Sequence, residues 1–362
     1  MRYRAVNSTR TLVGIAAVAV AFTALVYVGA QPGPPLPVPS LSATIGMNGS
    51  STLRGERDGE FAEDLDAVRD SGAGRLRLDV DWSSVEPTPG QQDWSSIDRV
   101  VDAARARGLT VLGIVTYTPR WAQDPSVPDG TTHGRPSSAT DYGTFAGQAA
   151  EHFAGRISDW ELWNEPNLVG FFAPQVDAGF YTAMVRAGYT AIHRVQPEAT
   201  VLAGALSPNT GNAAPAAFLR QMYAAGVSGF LDAVSVHPYS YPASPSGTQR
   251  YNAFYQLHEV HQVMADNGDS AVRIWLTEFG APTGGAKAVS EQRQAAIIAE
   301  GFILARSLSY LGPVFIYELR DADTGSGDIE DNFGLLRTDG TQKPAYAVVV
   351  RQAVTDAAHA GR

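Results

Sequence analysis

Cysteine is absent from the 362-residue chain, which removes disulfides, thiolate metal sites and a cysteine nucleophile from any account and leaves the redox compartment unmarked. Basic runs are missing too. Lys and Arg total 27 against 37 for Asp and Glu, a net charge of -10, so the sequence carries no footprint for nucleic acid and disfavours a polyanionic substrate. No Gly-x-Ser-x-Gly elbow marks a serine hydrolase, and Gly325-Ser326-Gly327 has no following helix to receive a phosphate. His258 and His261, on either side of Glu259, miss the spacing of a helical zinc motif. The acidic stretch holding Asp321, Asp323, Asp328, Glu330 and Asp331 lacks the fixed ligand order of a calcium loop, so no metal or cofactor is implied. No repeat of fixed period is present.

What the chain does have is apolar residues, 44% of the total, enough to bury a sizeable core. They are unevenly placed. Arg2, Arg4 and Arg10 precede an uncharged stretch from Thr11 to Ala30. A helix of that length, at about 1.5 Å per residue, matches a hydrocarbon core of roughly 30 Å. Residues 1–30 therefore read as a membrane anchor or, with Val28-Gly29-Ala30 as a small-residue cleavage site, as a long signal peptide. On either reading the remainder is exported, with the arginines left inside. Residues 31–41, with prolines at 32, 34, 35, 37 and 39, form a stiff linker.

Beyond residue 41 short apolar runs alternate with amphipathic ones. Strands are expected at Thr44 to Asn48, Leu76 to Val80, Thr110 to Val115, Ile157 to Trp163, Thr200 to Leu206, Ala233 to Val236, Arg273 to Thr277 and Pro313 to Tyr317. Helical spacing appears between them, as in Ile97, Val101 and Ala104, closed by Gly108. Strands that are apolar throughout and separated by helices imply a parallel sheet covered on its faces. Eight such units predict a single α/β domain over residues 42–356, a (β/α)8 TIM barrel.

Two segments then stand out: Trp160-Glu161-Leu162-Trp163-Asn164-Glu165-Pro166 and Ile274-Trp275-Leu276-Thr277-Glu278-Phe279-Gly280. Each runs an apolar strand into a glutamate and a chain-turning residue. In such a barrel the C-terminal strand ends build the site, so Glu165 and Glu278 face each other across its mouth. One carboxyl kept protonated and one kept ionised is the pair that glycosidic cleavage needs. Glu161, four residues before Glu165, shares its strand parity but sits deeper and reads as structural.

These motifs resemble those of the clan of retaining glycoside hydrolases built on (β/α)8 barrels, families 39 and 5 most closely. Further matching segments are Arg77-Leu78-Asp79-Val80-Asp81-Trp82, Tyr117-Thr118-Pro119-Arg120-Trp121, His237-Pro238-Tyr239 and Asn332-Phe333-Gly334-Leu335-Leu336 with Lys343-Pro344-Ala345-Tyr346. The resemblance implies Glu165 as general acid/base and Glu278 as nucleophile. It implies Arg77 and Tyr239 as donors to Glu278, Asn164 on the sugar 2-hydroxyl, and His237 as an orienting group. Aromatic faces suited to sugar rings are expected from Trp82, Tyr117, Trp121, Trp163, Phe171, Phe172, Tyr241 and Tyr317. The eighth strand reads Phe315-Ile316-Tyr317-Glu318-Leu319-Arg320-Asp321 where relatives carry Trp, so Arg320 and Asp321 are candidate sugar contacts.

The expected activity is internal cleavage of β-glycosidic bonds in an extracytoplasmic carbohydrate by a monomer without cofactor. A transglycosylase or an inactive carbohydrate-binding barrel are the alternatives. The loops from Ala122 to Ser138 and from Ser240 to Gln249 are the expected cleft walls.

Overall fold

In a computed structural model, which describes residues 41–49, 53 and 58–360, eight parallel strands pair in sequence order and close into a barrel. They are β1 (Ser42–Asn48), β2 (Ala73–Asp81), β3 (Thr110–Thr116), β4 (Asp159–Leu162), β5 (Thr200–Leu206), β6 (Ala233–Val236), β7 (Arg273–Phe279) and β8 (Leu311–Ile316). Closure is made by β1 against β8, with Ile45 opposite Val314 and Met47 opposite Ile316. The helices are α1 (Asp58–Asp70), α2 (Trp82–Val85), α3 (Ser95–Ala106), α4 (Ala139–His152), α5 (Ala178–Val195), α6 (Pro215–Ala224), α7 (Ala253–Asp266), α8 (Glu291–Ser307) and α9 (Pro344–Ala360). Residues 1–40, where the apolar segment and nearly all of the linker were expected, lie outside the described residues. Among the described residues no helix is long and apolar enough to cross a membrane.

Helix α3 shows how the covering layer forms. Its buried face is Ile97, Val100, Val101 and Ala104, at helical spacing, and Gly108 ends the segment with φ near 79°. Withdrawing each of Ile97, Val100 and Val101 from water contributes about 1.5–3 kcal/mol.

Alternation along the strands sends every second side chain into the barrel. Leu112, Leu202, Ala233, Trp275 and Phe315 form a separate apolar cluster there. Arg75 lies over the Trp275 ring, 5.0 Å from its centroid, and pairs with Asp159. The same parity brings Arg77 and Asp79 of β2, Glu161 of β4 and Ser235 of β6 inward.

Two irregularities depart from the expected strands. β4 stops at Leu162, where Trp163 adopts φ 72° and Glu165 φ 47°, left-handed conformations that interrupt the extended backbone. Such non-glycine residues cost about 1–3 kcal/mol each and persist only where surrounding contacts fix them. β7 runs to Phe279, two residues beyond the expected end, and three of its steps from Leu276 to Phe279 match two of β8 from Val314 to Ile316. That bulge turns consecutive residues, Thr277 and Glu278, toward the interior, while Phe279 packs outward on Phe254 of α7.

Candidate active site

The exit of β4 is pinned from three sides. Trp163 donates its backbone N–H to Val115 at 3.1 Å and its indole N–H to the Phe171 carbonyl at 2.8 Å. Glu165 donates its backbone N–H to Ala205 on β5 at 3.2 Å. Tyr181 of α5 clamps the strands below, donating to the Leu162 carbonyl at 2.6 Å and accepting from Gly204 at 2.9 Å. Those bonds hold the left-handed residues that lift Glu165 over the barrel mouth.

Arg77 is the hub beneath. Its guanidinium donates to Glu161 at 2.6 Å, Glu278 at 2.6 Å, Asn48 at 2.9 Å and Asn164 at 2.9 Å, and it is buried. Burial alone would lower its pKa, but Glu161, Glu278 and Asp79 outweigh that and hold it above its ordinary value, so it stays charged. Tyr239, after β6, donates to the other oxygen of Glu278 at 2.7 Å. Burial, and next the charge of Glu278, push the Tyr239 phenol well above its usual range, so it remains a donor.

The neighbouring carboxylate is served differently. His237 is fully buried, with Nδ1 at 2.9 Å from Glu165 and 3.5 Å from Glu278, and Nε2 at 3.2 Å from the Thr277 hydroxyl. Thr277 donates in turn to Glu161 at 2.8 Å. A chain of polar contacts therefore runs from Glu165 through His237, Thr277, Glu161 and Arg77 to Glu278. One oxygen of Glu165, one of Glu278 and a His237 nitrogen all lie within 4.8 Å of one another. The same three atoms have the spacing of a metal site. Arg77 and Tyr239 already donate to Glu278 there, and a guanidinium at 2.6 Å opposes a second cation, so the donor set fits a proton better than a metal.

A cavity of about 730 Å³ opens above this pair. It receives Asn164, Tyr117, Tyr239 and Tyr317 among the expected residues, together with Phe171 and Tyr241. Thr132 and His133 come from the first expected wall and Tyr241 from the second. His133 stacks on Phe171 with ring centroids 4.9 Å apart, making a flat apolar face, and burial lowers its pKa.

Four expected aromatics do not reach the cavity. Trp82 begins α2, whose turn swings its ring back onto Phe145 of α4 in a stack of 5.2 Å, and its indole donates to Glu86 at 2.8 Å. Trp121 is 42% exposed but stands edge-on against Trp82, outside the cavity lining. Trp163 and Phe172 are fully buried, packed edge-to-face under the rim. Arg320 and Asp321 are likewise structural. Arg320 pairs with Asp64 of α1, and Asp321 accepts from the buried Lys343 at 2.7 Å and from Gly334 at 2.8 Å.

Several lining residues went unread in the sequence. Asp79 was readable, since it lies two residues from Arg77 on the same strand and shares its inward parity. Asp81, two residues further along β2, shares that parity, whereas Asn48 and Glu330 have no such signal. Glu330, placed with the acidic loop in sequence, turns into the cavity beside Tyr317, where burial and then the charge of Glu278 raise its pKa.

No family model matches the chain, and no curated protein does. Solved structures match in fold. The eight-stranded parallel barrel is shared with glycoside hydrolases of families 39 and 5, both of clan A. A family 39 glycoside hydrolase from the gut symbiont Bacteroides cellulosilyticus superposes with a TM-score of 0.73 at 24% identity over 89% of this chain, which spans 65% of that protein's length. A family 5, subfamily 18 protein from Streptomyces cattleya, solved with GlcNAc, gives 0.68 at 18% identity over 88% of this chain and 81% of its own. A beta-xylosidase of family 39 from Caulobacter crescentus gives 0.64 at 20% identity over 87% of this chain and 72% of its own. At these identities what is shared is the fold.

Proposed function

We propose that the chain is a retaining glycoside hydrolase that cleaves β-glycosidic bonds by double displacement. The observation that carries this reading is the approach of the Glu165 and Glu278 oxygens to within 4.8 Å. Direct attack on the anomeric carbon goes with carboxyl groups about 5–5.5 Å apart, whereas an intervening water needs roughly 6.5–9.5 Å. The asymmetry of the surroundings supports the division of labour: Glu278 accepts from Arg77 and Tyr239, the environment of an anion, while among the described residues the Glu165 carboxyl is bonded to His237 alone.

In the first step a Glu278 oxygen bonds to the anomeric carbon as the glycosidic C–O bond breaks, and the Glu165 proton passes to the leaving oxygen. In the second, water loses a proton to Glu165 while its oxygen displaces Glu278 from the same carbon. Asn164, fixed by Arg77, is placed to hold a sugar hydroxyl beside the reacting carbon. The substrate is proposed to be an extracytoplasmic polysaccharide or oligosaccharide cut internally by a monomer, in keeping with the apolar segment Thr11 to Ala30.

Two variants test this. Glu278→Gln is expected to fold normally and lose turnover, and Glu165→Ala to regain rate with added azide on an activated aryl glycoside, giving the β-glycosyl azide. Full activity in either variant removes the role assigned to it. An α-configured azide product would indicate inversion, and binding without cleavage across a glycan panel would indicate an inactive carbohydrate-binding barrel.

A further inference from the structure

We propose that Thr277 is a positioning residue that fixes the tautomer of His237 and thereby keeps a proton on the Glu165–His237 pair. The proposal rests on the reading of Glu165 as the acid/base. Among buried groups each hydrogen-bond donor and acceptor needs a partner.

Thr277 has one hydroxyl proton. That proton goes to Glu161 Oε1 at 2.8 Å, because Glu161, whose other oxygen is held by Arg77 at 2.6 Å, is an acceptor only. Toward His237 Nε2, 3.2 Å away, the same hydroxyl must therefore accept, which places a hydrogen on Nε2. A neutral imidazole has a single N–H. Nδ1 then turns a lone pair toward Glu165 Oε1 at 2.9 Å, and two lone pairs at that distance repel. The contact is satisfied only by one further proton between them, as Glu165 carboxyl with neutral imidazole or as carboxylate with imidazolium.

The other charged groups of the cluster do not supply it. Arg77 is committed to Glu161, Glu278, Asn48 and Asn164, and Tyr239 to Glu278. Thr277 thus decides that the pair holds the proton Glu165 hands to the leaving oxygen. Once that proton has gone, Nδ1 offers the bare carboxylate no N–H, so the incoming water is its partner. Removing the Thr277 hydroxyl frees the ring proton to move to Nδ1 and donate to Glu165, which leaves the carboxylate satisfied without a proton of its own.

The test compares Thr277→Val, near-isosteric but without the hydroxyl, with Thr277→Ser, which keeps it. Imidazole nitrogen NMR of the ¹⁵N-histidine-labelled chain, with His237→Asn to assign the signal, is expected to show Nε2 protonated in the wild type and in Thr277→Ser, and a shift toward Nδ1–H in Thr277→Val. In kinetics, kcat/KM of Thr277→Val should fall about 10²-fold for alkyl or sugar leaving groups, which need a proton, and by less than about tenfold for dinitrophenolate, which does not. Thr277→Ser should restore both.

A wild-type ring protonated on Nδ1 but not on Nε2, or a Thr277→Val loss equal for all leaving groups, would overturn the proposal. The wild-type NMR result needs no turnover. A chain that hydrolyses nothing therefore defeats the glycosidase reading while the tautomer still stands or falls on its own signal.

Discussion

Tyr239 shows how much of this site is decided by single atoms. Its phenol is buried, reaches one oxygen of Glu278 at 2.7 Å, and is kept protonated by burial and by that negative charge. Tyr239→Phe removes one oriented donor while keeping the ring against Tyr317, Tyr241 and Phe333. The expected result is a kcat lower by about 10²–10³-fold with little change in melting temperature, measured by steady-state kinetics and calorimetry. Glu165 and Glu278 were legible because each stands at the end of an apolar run, beside a residue that turns the chain, whereas Arg77, midway along β2, and Tyr239 were named only through the resemblance of their segments. Trp82 and Trp121 were not legible, since the rim of any barrel is rich in aromatics and only the turn of α2 decides whether a ring faces the cavity or Phe145. Glu330 was invisible in a different way: its neighbours in the cavity are Tyr317, Glu278 and Glu165, all far from it in sequence except the first.

Among the elements, the last loop carries the clearest energetic signature. The segment after β8 is tied down by Lys343, fully buried, whose ammonium donates to Asp321 at 2.7 Å and to Thr283 at 2.7 Å. Burial lowers the Lys343 pKa and Asp321 opposes that shift. Asp321→Ala leaves the ammonium without its carboxylate, and loss of one partner of a buried pair costs about 3–5 kcal/mol. Denaturant unfolding should show that loss, and Tyr317, which follows β8 into the cavity, should carry part of it into activity. In sequence Asp321, with Arg320, was a candidate sugar contact, because the eighth strand lacks the Trp that the resembling families carry there. Its true partner lies beyond a loop whose path the local pattern does not encode. The strand positions themselves were legible from apolar runs, but the irregularities were not: a bulge in β7 and two left-handed residues after β4 depend on which neighbours hold them.

At the scale of the whole molecule, the sign of charge in composition and in cavity agree. The chain is acidic, with 37 acidic against 27 basic residues, and its cavity is lined by Asp79, Asp81, Glu165, Glu278 and Glu330 with Arg77 committed to two carboxylates. Anionic sugars meet like charge in a space shielded from water, where repulsion amounts to several kcal/mol. On a polysaccharide panel, neutral glycans are expected to be cut at least about tenfold faster than uronate-rich ones. Preference for the uronates would require a cation beyond Arg77, the one Lys or Arg lining the cavity among the described residues. The barrel class was legible from eight alternations of strand and helix, while what fills its cavity depends on loop conformations.

The extra residue in β7 has a further meaning for anyone reshaping this barrel. A regularly pleated strand can offer its interior either a threonine or the glutamate beside it, never both. Here the flaw in the pleat delivers both at once, so the proposed attacking group and the residue proposed to orient its partner's proton travel together. Straightening that strand for the sake of ideal geometry would yield a tidier cylinder with one of its two polar neighbours turned out among the helices.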